Sequence, residues 1–310
     1  VNERDGFRIE TVDLALSHRL DPRWIEAQSE SASSRVLPVR GGEILVEEGA
    51  RLRLGWLPVA AREIRTDGTE PILLGVCGEV ALFATDVSGL VDPADALGLD
   101  SRLRFRRLDA AALRLPEPES AVAIRARALV EWHASHRFCP ACGAVTAPSR
   151  GGAARECGGC RAEHVPHVDP AIVVLIEDGG HCLLGRRDDW PAGVYSAFTT
   201  FVEPGESLER AVRREVLERS GLEALAVRYR RSQPWADPPS LLVGCTAEVS
   251  RGVERPGWET SMGARWFPRG EVLHALRNDP RDASALLLPP PLSAAHELIL
   301  GWAEECAPDL

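Results

Sequence analysis

The chain has 310 residues, 45% hydrophobic and 26% charged, with a formal net charge of −10. That length predicts two or three domains with a sizeable core, and the acidic balance argues against general nucleic-acid binding. All 36 basic residues are arginines, which excludes Schiff-base, phosphate-loop and kinase-type lysine chemistry.

The longest aliphatic run, Ala171 to Ile176, is too short to cross a bilayer, and the first ten residues, VNERDGFRIE, hold no apolar signal core. The expectation is a cytoplasmic protein with no membrane partner. Of eight cysteines, four fall in two C-x-x-C pairs, whereas Cys77, Cys182, Cys245 and Cys306 are scattered. A metal site plus free thiols in a reducing compartment fits that pattern.

In chain order, residues 1 to about 115 alternate apolar and polar in short runs, at 42–48, 70–86 and 102–108, which predicts a β-rich domain. Arg102, Arg104, Arg106 and Arg107 fit the solvated face of a strand. The stretch PEPES (116–120) predicts a linker and a helix start, with Glu117 and Glu119 in the first turn and Ser120 as a cap. Ala121, Ile124, Ala128 and Trp132 are expected on its buried face. Residues 171–187 predict two strands around an Asp-Gly-Gly turn. A helix follows at 207–220, then a strand at 240–249, a proline-rich stop at 289–291 and a last helix at 293–304.

Cys139 and Cys142 form one C-x-x-C turn, Cys157 and Cys160 a second, with fourteen residues between the turns. Two such turns supply four soft ligands in a tetrahedron, which is the donor set of a structural zinc with no open position for water. Gly143, Gly158 and Gly159 relieve crowding around the sulfurs. On the 207–220 helix, Ser207 can cap the start and Gly221 the end. Glu215 and Glu218 lie three residues apart and share a face, a pair suited to Mg²⁺ or Mn²⁺ bound to diphosphate oxygens. A solvated Glu/Arg face is the plainer reading of that spacing alone.

The segment 199–222 resembles the Nudix box, G-x5-E-x7-R-E-U-x-E-E-x-G-U with U aliphatic. Glu206, Arg214, Glu215, Val216, Glu218, Gly221 and Leu222 match it, whereas Thr200 stands for the first Gly and Arg219 for the second Glu of the pair. The order of a four-cysteine ribbon, Asp169-Pro170-Ala171-Ile172, the box, Ser232-Gln233-Pro234-Trp235 and a Pro-Pro tail before a terminal helix resembles the NADH pyrophosphatase branch of that family. The resemblance covers about 120–304, and the N-terminal region by position only.

The resemblance implies an α+β protein: a Nudix α/β/α sandwich with a four-cysteine zinc ribbon and a β-rich N-terminal domain. Its expected domains are 1–117 (β-rich), 118–168 (linker helix and ribbon) and 169–310 (Nudix). It implies a homodimer that splits the diphosphate of NAD(H) or a related dinucleotide into a mononucleotide and AMP, or removes NAD caps from RNA. The metal site would comprise the carbonyl of Thr199, Glu215 and Glu218, with Glu218 as ligand or water-orienting base and Arg214–Glu206 as a supporting ion pair. Substrate contacts would come from Phe201, Arg219, Gln233, Pro234, Trp235, Ser240 and Ala295.

Several positions depart from the family pattern. The expected distant Glu is Thr260, with Glu259 adjacent. Ala236 and Asp237 replace Pro and Phe after Trp235, and Val165, Pro166 and His167 stand where a Tyr, Pro and Arg belong. A guanidinium at residue 219, about 5 Å from a divalent ion, costs on the order of 6 kcal/mol. Arg219 can instead pair with Glu215 or grip a phosphate. These departures point to a substrate diverged from NADH, and they leave a hydrolysis-deficient dinucleotide-binding protein as the alternative.

Overall fold

The structure, a computed structural model, describes residues 9, 11–59, 70–236, 238–250, 263–277, 286–291 and 293–305. Asp237, Glu259, Thr260 and Cys306 lie outside the described residues. The chain divides into two units, Val1–His167 and Val168–Leu310.

The first unit opens with α1 (Pro22–Glu30), whose first turn is capped by the Asp21 carboxylate. A seven-stranded sheet follows: β1 (Arg35–Arg40), β2 (Glu43–Glu47), β3 (Arg53–Leu54), β4 (Leu57–Pro58), β5 (Ile72–Cys77), β6 (Val80–Asp86) and β7 (Leu103–Arg107). The alternating runs at 42–48, 70–86 and 102–108 thus become β2, the β5–β6 hairpin and β7. Strand order is β3-β2-β1-β6-β5, with β4 on β1, β7 on β2, and β1 parallel to β6. Two short helices, α2 (Pro93–Ala96) and α3 (Leu108–Ala112), lead to α4 (Glu117–Ser135).

Helix α4 corrects two sequence expectations. Its cap is Pro116 and its first residue Glu117, so Ser120 lies inside the helix. Pro118 explains the earlier start, because its fixed φ and missing N–H suit the first turn. The buried stripe is Val122, Ala123, Ala126, Leu129 and Val130, whereas Ala121 is exposed and Ile124 and Ala128 are half-buried. Trp132 is buried as expected. Glu119, 2% exposed, accepts from Arg53 Nη1 at 2.6 Å and from the Leu54 N–H at 2.8 Å. That carboxylate ties α4 to the sheet as well as favouring the helix start.

A three-stranded ribbon closes the unit: β8 (Thr146–Ser149), β9 (Ala154–Cys157) and β10 (Glu163–His164), in the order β10-β9-β8. Buried Arg155 joins it to α4, donating to Thr146 Oγ1 (2.7 Å), to the Thr146 carbonyl (2.8 Å) and to His133 Nδ1 (2.8 Å).

The second unit is a six-stranded sheet between helical layers. Its strands are β11 (Asp169–Glu177), β12 (His181–Leu184), β13 (Phe198–Phe201), β14 (Ala224–Ala236), β15 (Pro239–Val249) and β16 (Arg265–Pro268). The order is β14-β15-β11-β12-β16, with β13 paired to β11. The Asp-Gly-Gly turn joins β11 to β12 as expected. Helix α5 (Leu208–Ser220) covers one face, and α6 (Arg269–Arg277) and α7 (Ala294–Glu304) cover the other. Strand β11 is apolar on both sides because both sides are covered. Ala171, Val173 and Leu175 pack with Leu298, Ile299 and Trp302 of α7, whereas Ile172, Val174 and Ile176 pack with Ala211, Val212 and Val216 of α5.

Replacing Glu119 with Ala leaves the buried Leu54 N–H unpaired, and we expect a loss of about 1–3 kcal/mol. The check is the urea midpoint of the variant, and an unchanged midpoint would contradict this role.

Candidate active site and zinc centre

The four Sγ atoms of Cys139, Cys142, Cys157 and Cys160 lie within 4.8 Å of one another. Both pairs sit at hairpin tips. The first is closed by the Phe138–Val145 bridge, and the second lies between β9 and β10. Knuckle hydrogen bonds shape each turn: Gly143 N–H donates to the Cys139 carbonyl (2.8 Å) and Arg161 N–H to the Cys157 carbonyl (3.1 Å). Gly143 has φ +74°, and a Cβ on Gly159 would lie 2.8 Å from Ala144 Cβ, so both turns need glycine. Four thiols converging with no other ligand fit a closed tetrahedral zinc. Among the described residues this is the one cluster of three or more His, Cys, Asp or Glu ligand atoms.

Helix α5 begins where Ser207 Oγ accepts from the Arg210 N–H and ends at Gly221, φ +68°. Its inner stripe is Ala211, Val212, Glu215 and Val216, a spacing of i, i+1, i+4 and i+5 that faces the sheet. Glu215 is therefore carried inward with the apolar residues and has no exposed surface. Its Oε1 accepts from Arg219 Nε at 2.8 Å, and its Oε2 is buried and meets no donor among the described residues. An unsatisfied buried carboxylate oxygen is the feature a cation would complete. Glu218 sits at the exposed edge, its Oε2 3.6 Å from Arg214 Nη1.

Arg214 binds Glu206 through two parallel bonds of 2.8 and 2.9 Å, and it also donates to the Phe201 carbonyl at 3.1 Å. The guanidinium, with the Glu203 N–H, lowers the Glu206 pKa from 4.5 to about 2, and the same pairing raises Arg214. Arg214 thus fastens the end of β13 to α5, a third contact that the sequence did not suggest.

Sheet register places the remaining expected site residues. Phe201 pairs with Ala171, Ala171 with Leu242, and Leu242 with Gln233. These four residues form one row across β13, β11, β15 and β14, spanning about 14 Å. Ala171 and Leu242 face α7, so Phe201 and Gln233 do too. Gln233 Oε1 accepts from the Ala294 N–H at 2.7 Å, which brings Gln233 against the start of α7 beside Ala295. Trp235 pairs with Ser240 on the same face; Ser240 is buried and donates to the Pro238 carbonyl, and Pro234 is exposed.

The structure therefore gathers Phe201, Gln233, Trp235, Ser240 and Ala295 on the α7 side, and Glu215, Glu218 and Arg219 on the α5 side. Thr199 lies at the join: its side chain follows Val173 toward α7, while its backbone carbonyl lies in the plane of the sheet. Thr200, which replaces the expected Gly, pairs with Ile172 and so directs its side chain toward the α5 layer.

A mixed sheet between helical layers, preceded in the sequence by a four-cysteine ribbon and covered on one face by the Arg-Glu helix α5, fits the NUDIX class. Consecutive family models agree: "NADH pyrophosphatase-like rudimentary NUDIX domain" matches 33–132, "NADH pyrophosphatase zinc ribbon domain" 134–165 and "NUDIX domain" 166–287. The chain belongs to the NADH pyrophosphatase-like branch of the NUDIX family. The model over 33–132 assigns the β-rich N-terminal region to a rudimentary NUDIX domain, which the sequence reading matched by position only.

Among curated relatives, human NAD-capped RNA hydrolase NUDT12 is 39% identical over 202 residues, 62% of this chain and 43% of its own. Mouse mitochondrial NAD(P)H pyrophosphatase NUDT13 is 38% identical over 209 residues, 64% of this chain and 59% of its own. The NAD-capped RNA hydrolase NudC of Chromobacterium violaceum is 37% identical over 190 residues, 61% of this chain and 66% of its own. The chain spans about half the length of the first of these relatives. Among the described residues no helix is long and apolar enough to cross a membrane.

Two outcomes follow from this geometry. Elemental analysis is expected to find one zinc per parent chain and none in Cys157→Ser, whose ribbon should unfold, whereas stoichiometric zinc retained by the variant would contradict the four-cysteine site. The Glu206 pKa is depressed, so its stabilising contribution is complete above about pH 4.5 and is lost as pH falls through about 2. The stability gap between the parent and Glu206→Gln, read from urea midpoints across pH, should be constant near neutrality and close in acid.

Proposed function

We propose that the chain is a divalent-metal-dependent hydrolase that splits the diphosphate of NAD(H), or of a modified NAD-like dinucleotide, into a mononucleotide and AMP. The observation that carries this reading is the buried Glu215 with one carboxylate oxygen unpartnered among the described residues, on the helix that matches the box. The names of the relatives support the substrate class.

Glu215 and the Thr199 carbonyl would hold Mg²⁺ or Mn²⁺, with Glu218 as a further ligand or as the base that orients water. The cation supplies charge neutralisation at the diphosphate and an activated water. The chain's own residues do the rest. Arg214 and Glu206 hold the helix against the end of β13. Phe201 and Trp235 offer ring faces for stacking, and Gln233 positions the start of α7. We assign the chemistry to 169–310, and a supporting role to 1–117 and to the helix and ribbon at 118–168. We further propose a cytoplasmic homodimer, following the family resemblance.

A second reading is favoured by one observation: Arg219 already occupies Glu215 Oε1. A chain in which that pair never opens would bind a dinucleotide without cleaving it. Action on NAD-capped RNA is a third outcome, with recognition confined to the cap because the chain is acidic.

The test is AMP release from NADH, ADP-ribose, diadenosine diphosphate and NAD-capped RNA with Mg²⁺ or Mn²⁺. Turnover of a dinucleotide is expected, with Glu215→Gln slower by at least about tenfold. No AMP from any substrate, together with calorimetric binding of a dinucleotide, would replace hydrolysis with the binding reading.

A further inference from the structure

We propose that Arg219 is a resident counter-cation that competes with the divalent ion for Glu215, so that metal loading requires the chain to give up its own guanidinium. This rests on the metal-dependent reading above and names what regulates that site.

Glu215 has no exposed surface, and an ionised carboxylate in such a place must be paired. One oxygen is paired, to Arg219 Nε at 2.8 Å, and the other has no partner among the described residues. Two other arginines of α5 have partners elsewhere. Arg213 donates to the Ala224 carbonyl, and Arg214 is held by Glu206 and the Phe201 carbonyl. Arg219 lies one turn beyond Glu215, and helical side chains lean toward the N-terminus, so the guanidinium falls naturally onto the carboxylate.

This is not a solvated surface pair. The Arg219 side chain is only 20% exposed and that of Glu215 1%, so water screens the interaction little. A cation on Oε2 and a guanidinium on Oε1 share one carboxylate, and their repulsion is subtracted from metal affinity. Glu218 faces Arg214 across 3.6 Å, so it too must turn from a guanidinium to reach the cation. An acidic residue at position 219 would add a ligand where the arginine removes one.

The experiment measures Mn²⁺ binding to the full zinc-loaded chain by electron paramagnetic resonance of the free ion, without nucleotide. Arg219→Gln is expected to bind Mn²⁺ at least about tenfold more tightly than the parent, and adding Glu215→Gln to that variant should abolish the gain. Equal affinity in the parent and a folded Arg219→Gln would overturn the proposal. If Arg219→Gln fails to fold because Glu215 is left unpaired, Arg219→Lys serves. A flexible ammonium grips a carboxylate less rigidly than the planar fork, so tighter Mn²⁺ binding is again expected and equality again overturns the proposal. Equal affinities in a chain that releases AMP would sink the competition alone. Tighter binding by Arg219→Gln in a chain whose parent never releases AMP would sink the diphosphatase reading alone.

Discussion

A single buried carboxylate constrains the site. Glu215 lies on the inner stripe of α5 because its spacing from Ala211 and Val212 turns it inward, and the sheet behind it offers no donor to its second oxygen. The fold thus places a carboxylate where water has almost no access. Neighbouring features hold the helix and this carboxylate in place: the Ser207 cap, the left-handed stop at Gly221, the Arg214–Glu206 clamp that keeps the helix against β13, and the Arg219 guanidinium on Oε1.

The sheet divides the site into two faces. Its α5 side carries the acidic and basic groups Glu215, Glu218 and Arg219, and its α7 side carries the rings of Phe201 and Trp235 and the amide of Gln233. The end of β13 serves both, since Thr199 offers a carbonyl in the plane of the sheet while Phe201 turns toward α7 and its own carbonyl accepts from Arg214. Arg214 therefore couples the helix to the strand that bears Phe201, and a change at either is expected to reach the other.

Much of this was legible in the sequence because it is local. The two C-x-x-C turns, the Ser207 and Gly221 caps and the Asp-Gly-Gly turn are each set by residues within a few positions of one another, and each appears where the spacing puts it. The i, i+4 pairing of Glu215 with Arg219 was also within reach, because a helix fixes it. What depends on distant packing was not. The buried face of α4 is shifted in phase from its apolar spacing, since the sheet it packs on selects Val122, Ala126 and Leu129. Glu119 read as a helix-dipole residue and is in fact also tied to Arg53 and Leu54, more than sixty positions away. Likewise, no pattern along the chain reveals that Glu215 Oε2 meets no donor among the described residues, or that Phe201 and Gln233 share a row.

The most direct measurement is a crystal of the chain grown with saturating Mn²⁺ and a dinucleotide, with data collected at the manganese edge. An anomalous peak beside Glu215 Oε2 is expected, with the Arg219 guanidinium displaced from the carboxylate. A nucleotide bound in the site with Arg219 still on Glu215 and no manganese peak on α5 would contradict it.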